Sequence, residues 1–353
     1  MTTIGTGAPT PRRIQAVRRP TMRDVAARAG VSLKTVSRVV NAEAGVSASL
    51  AERVRRAVEE LDFRPNAGAS SLRRADGKTA TVGLLLEDVA NPFSSALHRA
   101  VEDVAVPRGV MVFSASLDED PDRERELTRA FVGRRADGLI LVPASEDQGY
   151  LASELRAGTA IVCVDRECHG LPVDSVVTTN TAGAAEGVRH LLAFGHHRIG
   201  YLGDLRAIRT ARQRFEGYVQ ALESAGVPID PALVVHDLRD ASAADGAASA
   251  LLTRPDPPTA LFTAQNLVTI GALRALRRLG REDRVALVGF DDFPLAELLR
   301  PGITVVAQDP ATIGRTAATV LFERLAGDRT PPRVHVVPTT LIRRGSGEIP
   351  APA

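Results

Sequence analysis

Residues 21–74 read TMRDVAARAGVSLKTVSRVVNAEAGVSASLAERVRRAVEELDFRPNAGASSLRR, and this stretch decides how the rest is taken. Thr21-Met22-Arg23-Asp24 has the Ser/Thr-x-x-acid form of a helix N-cap. Val25, Ala26 and Ala29 then share a helical face, and Gly30 ends the helix, because glycine takes the left-handed C-cap conformation without a Cβ penalty. Ser32 is placed to cap a second helix whose apolar stripe is Val36, Val39 and Val40. After a turn at residues 41–45, Ser47 or Ser49 opens a third helix with Leu50, Val54, Val58 and Leu61 on one side. The helix–Gly–helix spacing is that of a helix-turn-helix, whose second helix enters the major groove of DNA by its N-terminal residues. Read without that function, the same stretch is a small helical bundle with surface hydroxyls and arginines.

Outward from this head the chain changes character. Residues 1–20 carry Gly, Pro, Thr and Arg without apolar periodicity, which predicts a disordered basic arm. Cations, nearly all arginine, crowd the N-terminal fifth, while the whole chain of 353 residues carries a net charge of only +2. A basic end on a near-neutral body points to an anionic partner at that end. From Thr79 onward, short Val/Leu/Ile runs alternate with helical stretches. Strands are predicted at 81–86, 110–114, 138–142, 160–164, 199–202, 232–235, 260–262, 285–288 and 334–337. Strands alternating with helices predict parallel sheets wrapped by helices. Nine of them over this length favour two doubly wound halves rather than one. Residues 346–353 read as a flexible tail.

Composition excludes several classes. At 44% hydrophobic and 24% charged residues the chain is ordinary globular material, and no run approaches the length of a membrane span. The N-terminus lacks the apolar core of a secretory signal, so a cytoplasmic location is expected. Cys163 and Cys168 are then expected to stay reduced, Cys163 as a buried inert thiol. Their closeness to His169 raises a metal site as the weaker reading, and His196-His197 reads as structural. There is no nucleophile elbow, no Walker loop and no GxGxxG after a strand, so neither catalysis nor a cofactor is expected.

The runs AGVSxxTVSRVVN and RPN…SL closely resemble the N-terminus of the lactose/galactose-repressor (LacI/GalR) family of regulators. VANPF, RRADGLILV, TARQRFEGY and GFDD continue the resemblance through the body. It implies an N-terminal all-α helix-turn-helix followed by an α/β, periplasmic-binding-protein-like sensor of two doubly wound subdomains. The domains expected are a helix-turn-helix at 21–65, a hinge helix or linker at 66–78, and an effector domain at 79–345 with crossovers near 175–180 and 303–308. The resemblance implies a homodimer on double-stranded operator DNA, controlled by a small, sugar-like effector.

Carried over by position, Leu33, Lys34 and Arg38 would read bases, Arg38 by a bidentate pair to guanine. Thr21, Ser32, Thr35, Ser37, Asn41 and Asn66 would lie at or near phosphates. Leu72 would wedge into the minor groove, recovering the cost of unstacking through the contacts of bent DNA. Gly68 and Ser70 stand where the family commonly has Leu and Arg, so the hinge helix should order mainly on DNA.

In two α/β halves ligands sit beyond the C-terminal ends of strands. The effector candidates are therefore Asp88, Asn91, Phe93, Ser116, Asp118, Ser145, Asp165, Arg166, Arg212, Gln265, Asn266 and Asp291. Asp165, Arg212 and Asp291 are the three the resemblance places first. Carboxylates, amides and arginine suit vicinal hydroxyls because each engages two at once, and Phe93 or Phe293 could cover an apolar sugar face. Gln265-Asn266 replaces the family's common Asn-Asp and loses a carboxylate, and Glu87 replaces a residue commonly neutral, which points to an effector more acidic than a plain hexose or differently oriented. The alternatives are a purine- or nucleoside-responsive corepressed regulator of the same fold, or a solute-binding protein of a transporter.

Overall fold

The computed structural model describes residue 18 and residues 20–41, 43–64 and 78–352, and it falls into two compact units that divide after Thr79. Among the described residues the first unit holds three helices, α1 (Met22–Ala29), α2 (Leu33–Val40) and α3 (Ala48–Glu60). Thr21 and Asp24 close a reciprocal capping box on α1, and Gly30 ends it at φ 59°. Ser32 caps α2 through the Thr35 amide, while Ser47 precedes α3 without a side-chain cap. Val25, Ala29, Val36, Val54, Ala57 and Phe63 form the small core. Arg53 threads back from α3 to donate to the Ala29 carbonyl at 2.7 Å, satisfying an orphan carbonyl at the end of α1.

The second unit contains two six-stranded sheets. The first has the order β11-β5-β4-β3-β1-β2 and the second β12-β10-β9-β8-β6-β7. In the first sheet these are β1 (Thr81–Leu86), β2 (Met111–Ser116), β3 (Gly138–Leu141), β4 (Ala160–Asp165), β5 (Asp174–Thr178) and β11 (Val334–Val337). In the second they are β6 (Ile199–Leu202), β7 (Val234–Val235), β8 (Ala260–Thr263), β9 (Ala286–Phe290), β10 (Thr304–Ala307) and β12 (Thr340–Ile342). Every pairing is parallel except β10 with β12. The helices are α4 (Pro92–Ala105), α5 (Pro121–Gly133), α6 (Ala152–Ala157), α7 (Asn180–Ala193), α8 (Arg209–Ser224), α9 (Ala241–Leu252), α10 (Asn266–Arg278) and α11 (Pro310–Leu325). Each sheet is packed on both faces, so its strands are nearly continuous apolar runs. Helices α7 and α8 approach so closely that a Cβ on Gly217 would stand 2.3 Å from the Thr181 carbonyl.

The chain passes between the sheets three times: from β5 into α7, from β10 into α11, and from β11 to β12. The sequence predicted two passages; the third was hidden because β12 is only three residues long. The passages lie side by side. Thr178 Oγ1 donates to the Val337 carbonyl at 2.8 Å, the Thr339 amide donates to Thr179 Oγ1 at 3.0 Å, and Ala307 pairs with Thr340.

Two further expectations are corrected. Ser346–Glu348 form a 3-10 turn packed into the second half, not a flexible tail. Ser346 Oγ donates to the Leu287 carbonyl at 2.6 Å, and Glu348 accepts from Thr304 and meets the His190 ring. Cys163 and Cys168 are joined as a disulfide rather than standing as two thiols. The turn after β4 folds back and sets their Cα atoms 6.0 Å apart, within bonding reach. His196, fully buried, bonds Thr259 and the Ile349 carbonyl, a structural role.

Candidate DNA-reading face and effector cleft

Helix α2 turns Val36 into the head's core, which leaves Leu33 and Lys34 exposed on its first turn and Arg38 half-buried one turn later. Arg38 Nε lies 4.0 Å from Glu43, a contact with enough solvent access to be exchanged for another acceptor. Thr35 and Ser32 share a hydroxyl contact at 2.9 Å, and Asn41 reaches Ser37 at 3.4 Å. The first turns of α1 and α2 thus each carry a capping hydroxyl, Thr21 on the Asp24 amide and Ser32 on the Thr35 amide. Asn66 and Leu72 lie outside the described residues.

In the second unit the loops after the parallel strands face one another between the two sheets. Asp165 ends β4 at φ 65° and Asp291 follows β9 at φ 69°, both buried and both in the left-handed region. Arg166, also buried, grips both Glu119 oxygens at 2.5 and 2.7 Å and donates to the Pro143 carbonyl at 2.8 Å. Its Nε stands 3.4 Å from Asp165. Burial raises the Asp165 carboxyl above its ordinary range against the opposing pull of Arg166 and Arg214. Gln265 caps α10 and donates to Asp204 at 3.2 Å, and Asn266 donates to Asn91 at 2.8 Å, a bond between the two halves.

Sequence reasoning placed Arg212 here and passed over Arg214. Arg212 is exposed and holds the Arg206 and Ala207 carbonyls at the start of α8, though it borders the cleft. Arg214 is buried, donates to Asn180 at 2.8 Å and to Asp291 at 3.2 Å, and lies over the Phe290 ring. In TARQR two arginines stand two positions apart, and only packing decides which turns inward. Glu119, Asp204 and Gln308, which donates to Asp291 at 2.7 Å, were also missed, because no motif marks them.

Other candidates are committed elsewhere. Ser145 donates to the buried Glu124, Ser116 accepts from the Val89 amide, and Asp118 pairs with Arg123. Asp88 closes a turn onto the Ala90 amide. Phe93 and Phe293 face a hollow of about 330 Å³ beside Asp291. A larger cavity, about 620 Å³, runs between the halves from Glu119, Ser145 and Arg166 to Leu205, Ile208 and Arg212. That volume fits a small metabolite.

A head with two capped helices in helix-turn-helix order, in one chain with a two-lobed body that holds a polar central cleft, is the plan of a ligand-responsive regulator of transcription. Residues 21–66 match the bacterial regulatory proteins of the lacI family, and residues 188–347 match the periplasmic binding protein-like domain. The HTH-type transcriptional regulator GalR of Escherichia coli is 32% identical over 334 residues, covering 94% of this chain and 96% of that protein. The repressor CytR of the same organism is 28% identical over 328 residues, covering 92% of this chain and 96% of that protein. The lac repressor dimer bound to operator and an anti-inducer superposes with a TM-score of 0.80 at 26% identity, covering 94% of this chain and 99% of the other. The chain belongs to the lacI family of transcriptional regulators. No helix among the described residues is long and apolar enough to cross a membrane.

Proposed function

We propose that the chain is a homodimeric repressor whose operator affinity is set by a sugar-like effector bound between the two lobes. The observation that carries this is the cleft itself: the buried Asp165, Arg214 and Asp291 and the half-buried Gln308 converge there as charged or amide groups able to bracket neighbouring hydroxyls. Related solved structures support the ligand class, among them the regulator CelR in complex with cellobiose, 33% identical over 93% of this chain with a TM-score of 0.67. Leu33, Lys34 and Arg38 are the base readers in this reading. Thr21, Ser32, Thr35, Ser37, Asn41 and Asn66 position the head on phosphates, and Leu72 opens the minor groove at the operator centre.

The dimer forms across the open edge of the first sheet. Met111 and Phe113 on edge strand β2 are 59% and 53% exposed, and Val106 beside them is 60% exposed. An apolar edge of this kind is a pairing surface. Effector and operator affinities are then reciprocally linked.

Footprinting on fragments upstream of the neighbouring genes, with and without a panel of sugars, tests the whole reading. A protected palindrome whose occupancy shifts with one sugar supports it. Protection indistinguishable from that by random competitor DNA, under every condition, overturns it.

A further inference from the structure

The charges in the cleft do not balance. Glu87, Glu119, Asp165, Asp204 and Asp291 meet there with two buried guanidiniums, Arg166 and Arg214. Both arginines are already committed, Arg166 to Glu119 and Arg214 to Asn180 and Asp291. Arg239 borders the same space but donates to the Asp118 carbonyl. Among the described residues Asp204 accepts from neutral donors alone, the Leu205 amide and the Gln265 side chain. Glu87 has no side-chain hydrogen bond or ion pair among the described residues. A pocket of about 150 Å³ opens between Glu87, Asn91, Glu119 and Asp204.

A second observation is independent of these carboxylates. Asn266 is 1% exposed and donates to Asn91 on the wall of that pocket, yet its Oδ1 accepts nothing. A buried amide oxygen without a donor is costly, and its natural complement is a ligand N–H or O–H.

Resting on the sugar-effector reading above, we propose that the effector carries a cationic amino group, as an amino sugar does, seated between Glu87, Glu119 and Asp204. An ammonium offers three donors and no acceptor, which matches a wall of acceptors and sets a cation beside the carboxylates that the two arginines leave unpaired. A bare metal ion fits less well: no group of three His, Cys, Asp or Glu converges on a metal position among the described residues. Burial, reinforced by Glu119, pushes Glu87 up to about 8, so the empty pocket holds it protonated at neutral pH. An arriving ammonium favours the ionised form, so binding releases a proton.

The test is titration calorimetry on the full chain with matched probes: glucose, glucosamine and N-acetylglucosamine, and the galactose trio. It is run at about pH 6.5, where the probe amines are largely charged, in two buffers of different ionisation enthalpy. At least one free amino sugar should bind about tenfold or more tighter than its parent and its N-acetyl form, with net proton release. In Glu87→Gln that ratio should fall toward one, and Asp204→Asn should lower it by an independent route. A parent sugar binding as tightly as its amino partner overturns the amine assignment and leaves sugar sensing standing. Binding by none of the six overturns both.

Discussion

Removing the Glu124 carboxylate should loosen one wall of the cleft and lower stability by a calculable amount. Glu124 is fully buried on α5, and its two oxygens take four donors: the Ala144 and Ser145 amides at 2.5 and 2.9 Å, Ser145 Oγ at 2.5 Å and Tyr150 OH at 2.8 Å. In Glu124→Ala the two hydroxyls are free to turn toward other acceptors, but the two amides are fixed by the backbone. Each stranded amide costs roughly 1–3 kcal/mol, and the loss of charge-assisted bonds to the hydroxyls adds to it, for about 3–5 kcal/mol in all. In a unit of this size 1 kcal/mol moves the midpoint by roughly 2–4 °C, so differential scanning calorimetry should show a drop of about 10 °C. Pro143–Glu146 border the large cavity, so effector affinity should fall as well, while a head that folds apart from them keeps its affinity for DNA. A midpoint within about 3 °C of the parent protein would refute the reasoning, because it would mean the loop finds other partners.

Arg38→Ala should weaken operator binding by roughly tenfold to a hundredfold, the worth of a bidentate contact to guanine, and flatten discrimination against mutated operators in gel shifts; an unaltered complex would reject the role. Glu87 keeps a proton in the folded chain that the unfolded chain loses, so stability should decline as pH rises from about 4.5 to about 8. Glu87→Gln should flatten that decline and raise stability at pH 7 by at most about 3 kcal/mol, read from denaturant midpoints across pH. Phe113→Asp should convert the dimer to monomers at micromolar concentration in sedimentation runs, since it puts a charge on the apolar edge. Ending the chain at Gly345 should lower the melting midpoint by several degrees, because it strips Ser346 from Leu287 and Glu348 from Thr304; an unchanged midpoint would restore the free-tail reading.

Much of the architecture was legible because it rests on local rules. Gly30, Ser32 and the valine stripe announce the head, and runs such as TVGLLL and AIVCVD announce buried parallel strands. What escaped depended on partners far along the chain. DSVVT begins with Asp174, an unpromising strand residue until Arg324 arrives at 2.7 Å and the Arg333 amide at 2.9 Å. Ala232–Val235 read as a strand, but Pro231 opens a 3-10 turn and only Val234–Val235 pair. GSGEIPAPA has the composition of a loop, yet Ser346 and Glu348 are anchored by residues more than forty positions earlier. In the cleft, several residues just after strands were found by topology, but Glu119 after β2 and Asp204 after β6 sit in the same kind of place and were passed over. Arg214 lies inside α8, where only packing decides that it turns inward.

The triple passage between the lobes restricts how the body is able to move. A single covalent tether would let one lobe twist, tilt or slide over the other. Three passages abreast, tied through Thr178, Thr179 and Thr339 and through the pairing of Ala307 with Thr340, leave opening and closing about the row as the cheap motion. A ligand held between the lobes would therefore act through the same one-dimensional swing, whatever its shape.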